Sequence, residues 1–402
     1  MTTTLPSSTS APAPARLPAV IYVLTAGTFL MGTTEFVVAG LLFSVAGDFS
    51  VSVADAGLAI TVFALGMIVG APTMALATLR LPHRMTLSVA LLVFAVGHAA
   101  GALTDDFGVL LATRFLSAVA TGAFWAVATV AAVNSAGPRI RTHALGIVLG
   151  GGMLANVLGV PLGAFAGQLV GWRGTFWTLA VLAALLAAAV ARTVPAGRAA
   201  ATAPSIRAEL ASLGSGKLWL VLAACAAATG GVLSIYSFLS PILTEGAGVP
   251  ESAVPLVLMG FGLAALVGSV IGGRLGDGHP YATPLVTAAS TFLVALGLLA
   301  MSSSPVAVVV LFVLLGLVGL SANPVLVGLA NRFGGEASTL ATAMPTAIFN
   351  LGTAIGTALA GAALTTDLGA RGPLLVGAVG AALVLVPLGT LALRERRGAQ
   401  RA

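Results

Sequence analysis

Charge is what this chain has least of: 7% of its 402 residues are Asp, Glu, Lys or Arg, where soluble domains carry roughly one quarter. Hydrophobic residues make up 58% and the mean hydropathy is +1.08, which excludes a soluble globular domain. Cysteine occurs once, at Cys225, so there is no disulfide framework and no Cys-based metal site, and packing is its default role. Lysine also occurs once. Lys217 follows Gly216 but precedes Leu218, so the phosphate-cradling pattern G-x-x-x-x-G-K-[ST] is absent, and an ATP-driven pump is excluded. No His or Cys cluster has metal-ligand spacing and no Ser, His and Asp constellation stands out. Neither a metal, a cofactor nor an enzymatic reaction is expected.

Long apolar runs are what the chain has in excess. A bilayer crossing needs about 20 mostly apolar residues, and twelve stretches qualify: 19–45, 55–79, 85–104, 108–133, 144–168, 174–192, 217–243, 252–275, 281–301, 305–330, 338–365 and 372–393. The expected fold class is an all-α polytopic membrane protein. Residues 1–18 read as a polar, Pro-rich flexible tail without the basic region of a signal peptide. The Ala-, Pro-, Gly- and Ser-rich stretch 193–216 reads as a linker between two six-helix bundles, 19–192 and 217–393, and 394–402 as a second tail. Within the linker "IRAELASL" reads as a short interfacial helix or a disordered strap.

The net charge of +6 and the pI near 10.7 record orientation, because the basic residues follow the loops. With both termini in the cytoplasm, fifteen of the eighteen basic residues fall inside; Arg173 and Arg371 fall outside and Arg114 lies within a span. The outer loops carry acids instead, among them Asp48, Asp55, Asp105, Asp106, Glu245 and Glu251. This is the positive-inside bias. The bilayer is an expected partner and nucleic acid is not.

The halves also repeat. "FALGMIVG" at 63–70 matches "FGLAALVG" at 261–268 at Phe, Leu, Val and Gly, an offset of 198 residues. With twelve spans and a central linker, the match points to two bundles related by an axis along the membrane normal, as in alternating-access carriers.

Two charges fall inside spans. Glu35, in "MGTTEFVVAGLL", lies about ten residues, roughly 15 Å, from the outer end of the first span, and Arg114 about six residues, roughly 9 Å, inside the fourth. A charge at the bilayer centre costs at least roughly 2.5 kcal/mol, so a chain that keeps one usually uses it. One reading is a structural ion pair. The other is that Glu35 takes up and releases a proton while Arg114 modulates its affinity, since burial and a nearby guanidinium act oppositely on a carboxyl group.

Other polar groups in spans are Asn156, Asn323 and Asn350, with Asn156 and Asn350 read as glue between helices, and His98, read as packing. Phe124, Trp125, Tyr236 and Phe238 are candidates for the aromatic wall of a cavity, against the alternative of core or lipid-facing positions. In the fifth span, "ALGIVLGGGMLANVLGVPLGAFAGQL" sets Gly146, Gly150, Gly159, Gly163 and Gly167 on parts of one face, with Pro161 between them. Small residues at such steps let helix backbones approach closely, and the proline bends its helix.

"GGMLANVLGVPLGAFAGQLVGWRGTFW" resembles the fifth-span antiporter motif of the twelve-span drug:proton antiporters of the major facilitator superfamily. "MGTTEFVVAGLL" with "FALGMIVGAP" is similar to the first two spans of that group's chloramphenicol exporters. In the second half the resemblance is architectural. It implies a monomer that exports a small hydrophobic drug against protons, with Glu35 and Arg114 in proton coupling and Glu35, Phe124, Trp125, Asn156, Tyr236, Phe238, Asn323 and Asn350 around the substrate. Sugars, nucleosides or another metabolite are the alternative cargo on the same fold, and a channel or structural subunit a third reading. The family's charged latch between spans two and three is incomplete here: "GAPTMALATLRLPHR" keeps Gly70, Arg80 and Arg84 but has no acid, whereas "GGRLGD" in the second half keeps Arg274 and Asp277. The fourth-span pattern survives as Arg114 and Gly122, with Ala118 in place of one glycine.

Overall fold

The computed structural model describes residues 17–77, 81–136, 140–195, 213–334 and 339–399, and every regular element among them is helical. Eleven helical runs are long and apolar enough to cross a membrane. One of these, Arg141–Thr193, is 53 residues long and holds two crossings, because Gly171 inside it has φ 74° and ψ 164°, a backbone region open essentially to glycine alone. Twelve spans result among the described residues. Most of residues 1–18 and of the linker fall outside the described residues, as do Arg80, all but the last residue of "IRAELASL" and residues 400–402. The last helix runs to Ala399, past the boundary expected at 393.

Among the spans interrupted in their helical course are the first, the fifth and the tenth, the latter two beside a proline. The first is α-helical over Ala19–Val37, tightens into a 3-10 turn at Val38–Gly40, and resumes as Leu42–Phe49. The fifth widens into a π turn at Ala155–Gly159 just before Pro161, which absorbs the proline's missing N–H and its ring clash. The tenth breaks between Pro305–Gly319 and Asn323–Gly334, where Pro324 enters the first turn of the second segment, a place that needs no N–H. Span starts carry side-chain caps: Asp106 accepts from the Val109 N–H at 3.0 Å, and Ser52 and Asp55 form a capping box, satisfying donors that the helix leaves open.

The repeat reappears as packing. A side chain on Gly70 would run into Val119 of the fourth span, and one on Gly268 into Leu317 of the tenth; both partners shift by the same 198 residues as the sequence match. Gly66 faces Ala118, and Gly122 faces Gly70 and Ala71, so the alanine that replaces a glycine sits opposite a glycine.

Against the first span, the fifth presents a small-residue stripe in steps of four. Gly151 lies on Thr25 and Thr28, Ala155 on Gly32, Gly159 on Thr33, Gly163 on Val37 and Gly167 on Leu41. Gly146 and Gly150 are not on it, since a side chain at either would meet nothing within 4 Å; counting back from Gly159 in fours reaches Ala155 and Gly151, so Gly151 takes the place expected of Gly150. Gly159→Ala is therefore expected to destabilise the protein by roughly 1–3 kcal/mol through overpacking, and Gly150→Ala to be neutral. Melting of the two variants in detergent checks this, and equal shifts would refute the stripe.

The halves meet at the end of the molecule that carries the acidic loops. Ser240 donates to the Ala39 carbonyl at 2.9 Å and Gln168 to the Glu251 carbonyl at 2.9 Å. Phe238 is wedged between Gly57 and Gly361, and Gly40 sits against Ala164 and Leu258. These contacts seal that end over a cavity in the middle of the fold.

Candidate functional site

The cavity has a volume of about 240 Å³ and lies between the first, fifth, seventh, eighth, tenth and eleventh spans. Part of the lining is aromatic. Phe36 meets Tyr236 edge-on at 5.7 Å and Tyr236 meets Phe261 at 4.8 Å, and Phe349 also lines the cavity. The lining also carries neutral amides and hydroxyls, Asn156, Asn323 and Asn350 with Thr229, Thr346 and Thr353. The one carboxylate in the lining is Glu35, half-buried.

Of the residues expected around the cavity, Glu35, Asn156, Tyr236, Asn323 and Asn350 are in its lining and three aromatics are not. Phe124 is fully buried against Gly27 inside the first bundle. Trp125 covers Gly152 of the fifth span, and Phe238 belongs to the seal. Nothing in a uniformly apolar helix marks which aromatic faces inward, so Phe36, Phe261 and Phe349 were not foreseeable from residue type.

The asparagines also differ from the expected glue. Asn350 donates to Thr346 one turn back in its own helix at 3.0 Å, and Asn156 lines the cavity while its backbone carbonyl receives Gly262 of the eighth span. The tie between the seventh and eleventh spans comes from Thr229, which donates to the Cys225 and Phe349 carbonyls at 2.9 Å. The side-chain carbonyl of Asn323 is buried with no partner among the described residues, leaving it an unused acceptor beside the cavity.

Arg114 is 1% exposed and does not pair with Glu35. Among the described residues, the ion pairs within 4.0 Å are those of Arg173 with Asp48 and Asp105. The Arg114 guanidinium instead donates to the Thr34 hydroxyl at 2.7 Å, the Thr34 carbonyl at 2.9 Å and the Ala59 carbonyl at 3.3 Å, over the ring of Phe63 at 4.3 Å. Thr34 stands in the last turn of the first helical segment, where carbonyls lack intrahelical donors and a cation is favoured. His98 completes the cluster, 2.6 Å from the Thr34 hydroxyl and 2.9 Å from the Phe94 carbonyl. Because that carbonyl can only accept, the ring hydrogen belongs on Nδ1, and Nε2 accepts from the Thr34 hydroxyl. His98 is packed, stacked on Phe94 at 4.0 Å, and is bonded as well.

At the sealed end, Arg173 holds Asp48 at 2.9 Å and Asp105 at 3.0 Å and donates to the Ala102 and Thr104 carbonyls, while Trp172 donates to Asp48 at 2.7 Å. The hydrogen bonds from Arg173 and Trp172 hold the Asp48 carboxyl below the usual carboxylate range. A depressed folded-state value gives stability that is present at neutral pH and lost as pH falls through that value. Asp48→Asn should thus melt below wild type at neutral pH, with the gap closing as the pH is lowered below the carboxylate range; a gap independent of pH would refute the linkage.

The latch residues at the other end are apart. Arg84, Arg274 and Asp277 are exposed and form no ion pair within 4.0 Å among the described residues, and Gly70 serves packing.

The family model described as Major Facilitator Superfamily matches residues 24–277 and 222–402. The chain is 36% identical over 362 residues to a chloramphenicol resistance protein of Streptomyces lividans, covering 89% of this chain and 92% of that one. It is 29% identical over 373 residues to a probable sugar efflux transporter of Mannheimia succiniciproducens, covering 92% and 91%. Among solved structures it is similar to a bacterial homolog of the human lysosomal transporter Spinster in an inward-facing, unoccupied conformation, with a TM-score of 0.74 at 16% identity over 95% of this chain and 98% of that one. At that identity the likeness speaks for the fold.

Proposed function

Because the chain belongs to the Major Facilitator Superfamily, a family of transporters rather than enzymes, we propose that it exports a small, uncharged, amphipathic drug in exchange for protons, with chloramphenicol the first substrate to test. The observation that carries this reading is the cavity lining itself: aromatic rings, neutral amides and hydroxyls, and one carboxylate. Such a lining suits a ligand that combines an aromatic ring with hydroxyl and amide groups. The relative of Streptomyces lividans, named for chloramphenicol resistance, supports it.

In this reading the protein is a monomer in the bacterial inner membrane with both termini in the cytoplasm, and the acid-bearing end faces outward. The closed outer end is the state that receives drug from the cytoplasm. Protons entering from outside neutralise Glu35 and favour release of the drug outward; loss of the proton toward the cytoplasm restores the receptive state. Alternating access follows from rocking one bundle against the other around the fixed cavity.

Accumulation of labelled chloramphenicol in an exporter-deficient host tests the substrate. Expression should lower accumulation and an uncoupler should restore it, whereas unchanged accumulation would remove chloramphenicol. Sugar efflux is the second reading, favoured by the Mannheimia relative and the asparagines of the lining. Reduced sugar accumulation with unchanged drug accumulation would select it.

A further inference from the structure

We propose that Thr34 and His98 are positioning residues for proton exchange, holding the Arg114 guanidinium behind the helix wall so that its charge acts on Glu35 through space rather than by contact. The proposal rests on Glu35 being the exchanging carboxylate. Thr34 and Glu35 are consecutive, so on a helix their side chains point about 100° apart. Thr34 is fully buried inside the first bundle and Glu35 faces the cavity. Arg114 commits two of its nitrogens to Thr34, one to the hydroxyl and one to the carbonyl, and the hydroxyl is aimed by His98. Each group has one assignment: Phe94 accepts from His98, His98 accepts from Thr34, and Thr34 accepts from Arg114.

An arginine freed from this chain would gain most by turning to the carboxylate, since a direct guanidinium–carboxylate contact is a strong, charge-assisted pair. Charged and titratable neighbours are few. Arg114 comes from the fourth span, His98 from the third and Tyr236 from the seventh, and the second, fifth and eighth spans bring no charged residue to the membrane interior. A change in the hold on Arg114 therefore has one carboxylate on which to register.

The test is drug transport by the full-length protein in proteoliposomes, followed against pH on the outward-facing side. Thr34→Val removes the hydroxyl and keeps the shape; Thr34→Ser keeps the hydroxyl; His98→Phe keeps the stack and removes the acceptor. Thr34→Val should move the pH of half-maximal transport down by about one unit, a tenfold change in proton concentration. His98→Phe should move it in the same direction by less, and Thr34→Ser should return it to the wild-type value. Lower yield with an unchanged midpoint in both Thr34→Val and His98→Phe would overturn the proposal. If Thr34→Val does not fold, the His98→Phe midpoint decides. A wild-type profile in Glu35→Gln would instead remove the underlying reading.

Discussion

Replacing Arg114 by alanine is expected to remove a large share of the protein's stability. The substitution leaves the Thr34 hydroxyl, the Thr34 carbonyl and the Ala59 carbonyl without their donor and empties the space over Phe63. Each buried polar group deprived of its partner costs roughly 1–3 kcal/mol, so a loss of about 3–5 kcal/mol is expected against a total stability of roughly 5–15 kcal/mol. Lysine should rescue little. Its ammonium keeps the charge but cannot reproduce the planar fork that reaches two oxygens of Thr34 while a third nitrogen reaches Ala59. The fraction of protein that elutes as a single species after detergent extraction measures the effect, and wild-type recovery and melting in Arg114→Ala would refute it.

Glu35→Gln should do the opposite, leaving the fold intact and removing the work. Glu35 is half-exposed to the cavity and outside the ion pairs formed among the described residues, so a neutral side chain of the same shape removes no structural bond. A gradient of one pH unit supports about tenfold accumulation per proton exchanged, because 1.4 kcal/mol is a factor of ten. Wild type should accumulate drug to that order in inverted vesicles under such a gradient. The variant should only equilibrate it, while still exchanging labelled for unlabelled drug. Gradient-driven accumulation by the variant would rule out the role.

Much of this was legible in the sequence. The twelve spans, the repeat and the isolation of Glu35 follow from where apolar runs and charges fall, because the bilayer forbids other arrangements. What escaped depends on direction within a helix. The spans are apolar all round and have no polar face to orient them, so Phe124, Trp125 and Phe238 could not be told from Phe36 and Phe261. The small-residue face counts back in fours from Gly159 to Ala155 and Gly151, so Gly150, nine residues from Gly159, falls off it. Arg114 met Thr34 rather than Glu35 because the end of the first helical segment frees a carbonyl there, a boundary invisible in "MGTTEFVVAGLL". His98 was legible as buried, and its bond to Thr34 was not, since it depends on the register of the third span against the first.

The proton count is the direct measure of the central claim. Proteoliposomes loaded with a pH indicator, given a drug gradient and no initial pH gradient, should alkalinise or acidify in step with drug movement for wild type and show no drug-linked pH change for Glu35→Gln. Proton movement of wild-type size in the variant, or drug movement by wild type without any pH change, would contradict a carrier that exchanges drug for a proton at Glu35.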